Sequence, residues 1–99
     1  MNEEVIKNYE RDLHLFCRLA AGAQIEANEW SGGDEAALCL SSRHAFELAA
    51  KQMHYRLELL QPSIYSYSSL CEREDKINSR IAEIIKEKTC HEQKTQPLS

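Results

Sequence analysis

Between Gly33 and Pro62 the chain contains neither glycine nor proline, and its apolar residues recur at helical spacing. Phe46, Ala49, Met53, Leu57 and Leu60 follow one another by three and four residues, so they share one face of a helix. Leu38 and Ala50 add to its apolar content. The helix so predicted runs from Asp34 to Gln61, about 42 Å at 1.5 Å per residue. Ser41-Ser42 is its weak point, because hydroxyls compete for backbone hydrogen bonds and can start a second helix there, so one helix and two both stay open. Pro62 closes the segment: it has no N–H to give to the ladder and it restricts the residue before it. A stripe this long must be covered, by other segments of the chain or by a partner.

The flanking segments are helical too. From Glu3 to Ala21, the residues Ile6, Tyr9, Leu13, Phe16 and Ala20, continued by Ala23, make a seam for packing on a second helix. Asn2 is placed to cap it, and Glu3 and Glu4 suit the positive end of its dipole. Gly22 is the expected stop, with a short helical piece over Gln24 to Trp30 after it. Ser31-Gly32-Gly33 is the clearest turn, and Asp34 is the expected cap of the next helix. Residues 63–69, with four serines and two tyrosines, read as either helix or loop. Leu70 to Lys88 carries a strong stripe of Ile77, Ile81, Ile84 and Ile85. From Thr89 to Ser99 the pattern ends, which predicts a flexible tail. No strand pattern occurs. The expected fold is one all-α domain over residues 1–88, built of helical hairpins, either as a degenerate tetratricopeptide-like superhelix or as a small bundle.

Composition narrows the function. Ninety-nine residues suffice for one modest core. The net charge is −4 and no cluster of Lys and Arg occurs, which argues against nucleic-acid binding. No apolar run approaches the roughly 20 residues that span a bilayer, so no membrane insertion is expected. The first residues lack a basic stretch followed by an apolar block, so the expectation is a cytoplasmic protein. Cys17, Cys39, Cys71 and Cys90 are far apart and form no C-x-x-C, which predicts reduced, buried, unlinked thiols. His14 with Cys17, Cys90 with His91, and His44, His54, Cys39 and Cys71 lack the paired short spacings of a zinc site. No nucleophile elbow, phosphate loop or H-E-x-x-H is present. Gly32-Gly33 precedes a helix, but Asp34-Glu35 would repel a phosphate there. Glu72, Glu74 and Asp75 alternate with Arg73 and Lys76, the pattern of a solvated helix face. Neither an enzyme nor a cofactor nor a metal is expected.

What remains is apolar surface, and the usual guest of a groove between helices is an amphipathic helix. Methionine in such a groove adapts to its guest. Several short stretches, in order and spacing, resemble a known family: Glu26-Ala27 with Glu29-Trp30, then Gly33-Asp34-Glu35-Ala36-Ala37, Leu40-Ser41-Ser42, Pro62 and Leu70-Cys71-Glu72. The family is the tetratricopeptide-like chaperone of the type III secretion needle subunit (the YscG/EscG type). The resemblance covers roughly Leu13 to Ile85. Within a 34-residue frame over Ser31 to Ile64, Ala50 and Pro62 fall at the expected small and proline positions, while Leu38 replaces the usual small residue. Membership would imply a cytoplasmic co-chaperone that holds the amphipathic carboxy-terminal helix of the needle subunit and prevents its premature polymerisation. It would also imply a second small helical co-chaperone in the complex. Leu38, Phe46, Met53, Leu57, Tyr67 and Leu70 would then line the partner-helix groove. Tyr9, Leu13 and Phe16 would serve the second partner or the core. Two other readings stand beside it: a small helical regulator or phage-type inhibitor that closes its own core, and a small Cys/His metal or redox protein.

Overall fold

The computed structural model describes residues 2–30, 32–65 and 70–95, and for Asn2, Leu70 and residues 91–95 the backbone alone. The described residues form four helices and no strand: α1 (Asn2–Glu29), α2 (Asp34–Leu60), α3 (Pro62–Tyr65) and α4 (Leu70–Thr95). The chain is all-α. α1 and α2 make an antiparallel hairpin, their contact being the largest between any two helices, and α4 lies on the hairpin, more against α1 than against α2. Of the two architectures open from the sequence, this is the small bundle. α2 and the start of α3 fill the Ser31–Ile64 frame, where a 34-residue repeat would place two helices of similar length.

α1 runs unbroken through Gly22, so the expected stop there is corrected. The backbone at Gly22 does not take a positive φ, and its neighbours are buried on α2: Ala20 and Ala21 fully, Ala23 and Ala27 nearly so. An interior glycine costs a helix about 1 kcal/mol. The apolar area covered beyond it by Ala23, Ala27 and half-buried Ile25 outweighs that cost. The hairpin turn falls where the sequence put it. Gly32 and Gly33 hold φ of +107° and +88°, which residues with a Cβ rarely adopt. Gly33, not Asp34, is the cap of α2: its carbonyl accepts the N–H of Ala37 at 3.1 Å. Asp34 and Glu35 occupy the first turn, where their charge suits the dipole.

α2 is a single helix across Ser41-Ser42. It ends at Gln61, whose N–H reaches the Leu57 carbonyl at 2.7 Å. The Gln61 carbonyl then accepts the N–H groups of Ile64 and Tyr65, and Pro62 sits in the first turn of α3, where its missing N–H is no loss. Residues 66–69, the rest of the ambiguous segment, lie outside the described residues. α4 passes the expected end at Lys88 and continues to Thr95, so residues 89–95 are helix, not the expected tail. The Thr89 hydroxyl donates back to the Ile85 carbonyl at 2.9 Å, which keeps this polar turn helical.

The core joins Leu13, Cys17, Ala20 and Ala21 of α1, Ala50 and Leu57 of α2, and Ile77, Ile81 and Ile84 of α4. On α2 the buried row is Ala36, Glu47, Ala50, His54 and Leu57, rotated from the row that apolar residues alone predict. Two polar residues therefore point inward, each with partners. Glu47 lies between Arg43 (3.5 Å) and Lys51 (3.6 Å), and Lys51 also reaches Glu74 of α4 at 2.9 Å. His54 Nδ1 lies 3.1 Å from Glu58, whose other oxygen accepts from Arg73 of α4 at 2.8 Å.

Two substitutions test this arrangement. Gly22→Ala places a Cβ with nothing within 4 Å and should stabilise the protein by about 0.5–1 kcal/mol in urea unfolding. Had the helix ended at Gly22 in a left-handed cap, the same change would destabilise it. Leu57→Ala, at a fully buried site, should cost about 2–5 kcal/mol, and a loss under 1 kcal/mol would contradict a closed core there.

Candidate partner-binding face

A two-helix hairpin has two faces, and α4 covers one. On α2 the residues engaged with α4 are Lys51 and Glu58, which meet Glu74 and Arg73. The row Leu38, Ser42, Phe46, Ala49, Met53, Arg56 and Leu60 lies close to the opposite side of the helix from them. On α1 the matching row is Val5, Asp12, Phe16, Leu19, Ala23 and Glu26. Between these rows the hairpin carries apolar surface that, among the described residues, α4 reaches only near the turn end, through Lys88. Leu38 is 68% exposed, while Val5, Leu19 and Leu60 are each about two-fifths exposed. Phe16, Phe46 and Met53 pack against the core with one side and remain half-buried.

The face deepens at both ends. Near the hairpin turn a groove of about 540 Å³ is lined by Leu19, Ala23, Leu38, Cys39 and Phe46, with Arg18, Glu26 and Lys88 among its polar members. At the far end a smaller hollow of about 220 Å³ lies among Val5, Tyr9, Arg56, Leu59 and Leu60. The Arg56 guanidinium is held 5.6 Å over the Tyr9 ring.

The six residues expected in the groove divide. Leu38 and Phe46 line it, and Met53 shares their row. Leu57 does not: it has no exposed surface and belongs to the core, because α4 and α1 meet over it. Tyr67 lies outside the described residues. Leu70 opens α4, and only its backbone is described. In the expected second seam, Leu13 is core at 2% exposure, Tyr9 lies beneath Arg56, and Phe16 borders the open face. Sequence reasoning missed Val5, Leu19, Leu59, Arg18, Arg56 and Lys88. A heptad scan of α1 starting at Val5 would have found Leu19, since the two are fourteen residues apart.

The opposite side is polar and differently built. His54 meets Tyr65 edge-on with ring centroids 5.5 Å apart, and the Tyr65 hydroxyl donates to Glu10 at 2.6 Å, tying α3 to α1. Arg73, besides holding Glu58, lies 5.4 Å over the Tyr55 ring. All four cysteines are free. Cys17 is buried and Cys39 half-buried, but Cys71 and Cys90 are exposed, contrary to the expectation that all would be buried. Desolvation, with the Glu26 carboxylate as a second cause, pushes the Cys39 thiol up, so it stays protonated in the groove. Among the described residues no group of three or more His, Cys, Asp or Glu is placed to hold a metal ion. No described helix is long and apolar enough to cross a membrane. Comparisons with protein-family models, with curated proteins and with solved structures found no match.

The His54–Glu58–Arg73 cluster makes stability depend on pH. Burial pushes the His54 imidazole below its ordinary value of 6.5, against the opposing pull of Glu58. The Arg73 hydrogen bond holds Glu58 below its ordinary 4.5. Both groups bind fewer protons folded than unfolded, so their contribution is complete above pH 6.5 and is lost on acidification, His54 first and Glu58 below 4.5. Thermal unfolding followed by circular dichroism should show Tm falling between pH 7.5 and 5. In His54→Leu that part of the fall should flatten, and an unchanged slope would assign it to another group.

Proposed function

We propose that this protein is a non-catalytic binding protein whose open α1–α2 face receives an amphipathic helix. The observation that carries the reading is the pair of largely apolar rows on the side of the hairpin that α4 touches only at Lys88, with Leu38, Leu19, Val5 and Leu60 exposed beside half-buried Phe16, Phe46 and Met53. Surface leucines in isolation mean little, but apolar residues aligned on two neighbouring helices, with hollows at both ends, take the form of a helix-receiving groove. Taken with the sequence resemblance, the guest is the carboxy-terminal helix of a type III secretion needle subunit. The protein then acts as a cytoplasmic co-chaperone that covers the polymerising surface until secretion, in company with a second small helical co-chaperone. The core formed by Leu13, Leu57, Ile77 and Ile81 closes without a guest, and this favours the alternative of a free-standing helical regulator acting by protein–protein contact.

Leu38→Asp tests the reading with little risk to the fold, because that side chain is mostly in solvent. Co-expressed with the needle subunit, the wild type should keep it soluble and co-purify with it. Leu38→Asp should lower its recovery at least tenfold while the helical circular dichroism and Tm stay within error. Equal recovery with both proteins would remove the face from the binding site. Recovery with neither would favour the free-standing regulator.

A further inference from the structure

Resting on the helix-receiving role of the α1–α2 face, we infer that its guest is an acid-flanked helix with two apolar anchors about two heptads apart. The two hollows fix the spacing. Phe46 lines the turn-end groove and Leu60 the far hollow, and on α1 Leu19 and Val5 do the same. Each pair is separated by fourteen residues, so the hollows lie about 21 Å apart along the hairpin. A helix laid along the face meets them with side chains an equal fourteen residues apart, on the same side after two heptads. Between them half-buried Phe16, Ala49 and Met53 occupy the face. Small residues fit the middle of the guest.

Charge sets its flanks. The chain as a whole carries −4, yet the hollows are cationic. Arg18 and Lys88 stand at the turn-end groove against the single carboxylate of Glu26, and Arg56 stands at the far hollow with none. None of the three cations is in an ion pair among the described residues. Asp12, on the row between, already lies 3.6 Å from Arg11. A guest with Glu or Asp beside each anchor gives these cations partners at the rim, where charge governs selectivity and on-rate more than raw affinity. A basic guest would meet like charge at both ends.

Synthetic helical peptides of about 25 residues test this by fluorescence anisotropy. One carries leucine and phenylalanine anchors fourteen residues apart with glutamates beside them. A second has lysines in place of the glutamates. A third has one anchor moved by two residues, which turns it to the opposite side of the helix. The glutamate peptide should bind at least tenfold tighter than the lysine peptide at low salt, and the gap should close in 1 M salt. It should bind at least tenfold tighter than the moved-anchor peptide. Arg18→Glu/Arg56→Glu/Lys88→Glu, checked for intact helices, should reverse the charge preference. Equal binding of glutamate and lysine peptides would overturn the acid-flanked guest while leaving the helix-receiving face in place. Equal binding of the moved-anchor peptide would overturn the two-anchor spacing. If no peptide binds, both the guest and the face are overturned; sedimentation as a dimer that Leu38→Asp dissociates would then assign the face to a second copy of the chain.

Discussion

The seam of small residues between α1 and α2 is the contact on which the rest of the molecule depends. Ala20, Ala21, Ala23 and Ala27 on one helix and Ala36 and Ala50 on the other are all buried. Alanine gives each helix high propensity and leaves little side-chain entropy to lose, so long helices pack on it at small conformational cost. The consequence is that the larger apolar side chains cannot all be used within the hairpin. They spread to its two faces, and a single further helix covers one of them. The open face is thus a by-product of economy in the seam, and the protein's binding surface follows from how its core is made.

The polar residues inside the bundle decide which face α4 takes. Glu47 and His54 lie on the buried row of α2 and bring charged neighbours with them. Lys51 reaches Glu74, and Glu58 reaches Arg73, so two cross-helix links hold α4 in one register. The largely buried Glu58–Arg73 link adds little net stability but is costly to break singly, and the exposed Lys51–Glu74 pair is worth less. Sliding α4 to the apolar face would strand these groups, which makes the polar side self-selecting and leaves the apolar side free.

These pairs also explain what the sequence did and did not disclose. The glycine turn and the end of α2 at Pro62 were legible because they rest on local chemistry: φ at Gly32 and Gly33, and the missing N–H of proline. The inward row of α2 was not, since periodicity counts apolar residues and Glu47 and His54 are polar. Their burial depends on Arg43, Lys51, Glu58 and Arg73, contacts that exist only after folding. For the same reason Leu57, correctly read as part of a stripe, was assigned to the groove when it belongs to the core. Gly22 misled in the opposite direction. Its helix-breaking tendency is intrinsic, while the alanine packing that overrides it is tertiary. Of the candidate site, Leu38, Phe46 and Met53 were readable from α2 alone, whereas the α1 half and the cationic rim needed the two helices side by side.

The turn has a consequence for assembly. Gly32 and Gly33 hold the positive φ at which the chain turns back between two long helices. With side-chain-bearing residues at both positions, the backbone would favour continuing α1 into α2 as one helix of nearly sixty residues, close to 90 Å long. Its alanine seam would then have no intramolecular mate and would pair with that of another molecule, an exchange of hairpin arms between subunits. Two adjacent glycines therefore let the two arms of one chain meet each other, and their loss would favour an exchange of arms between chains over any change in secondary structure.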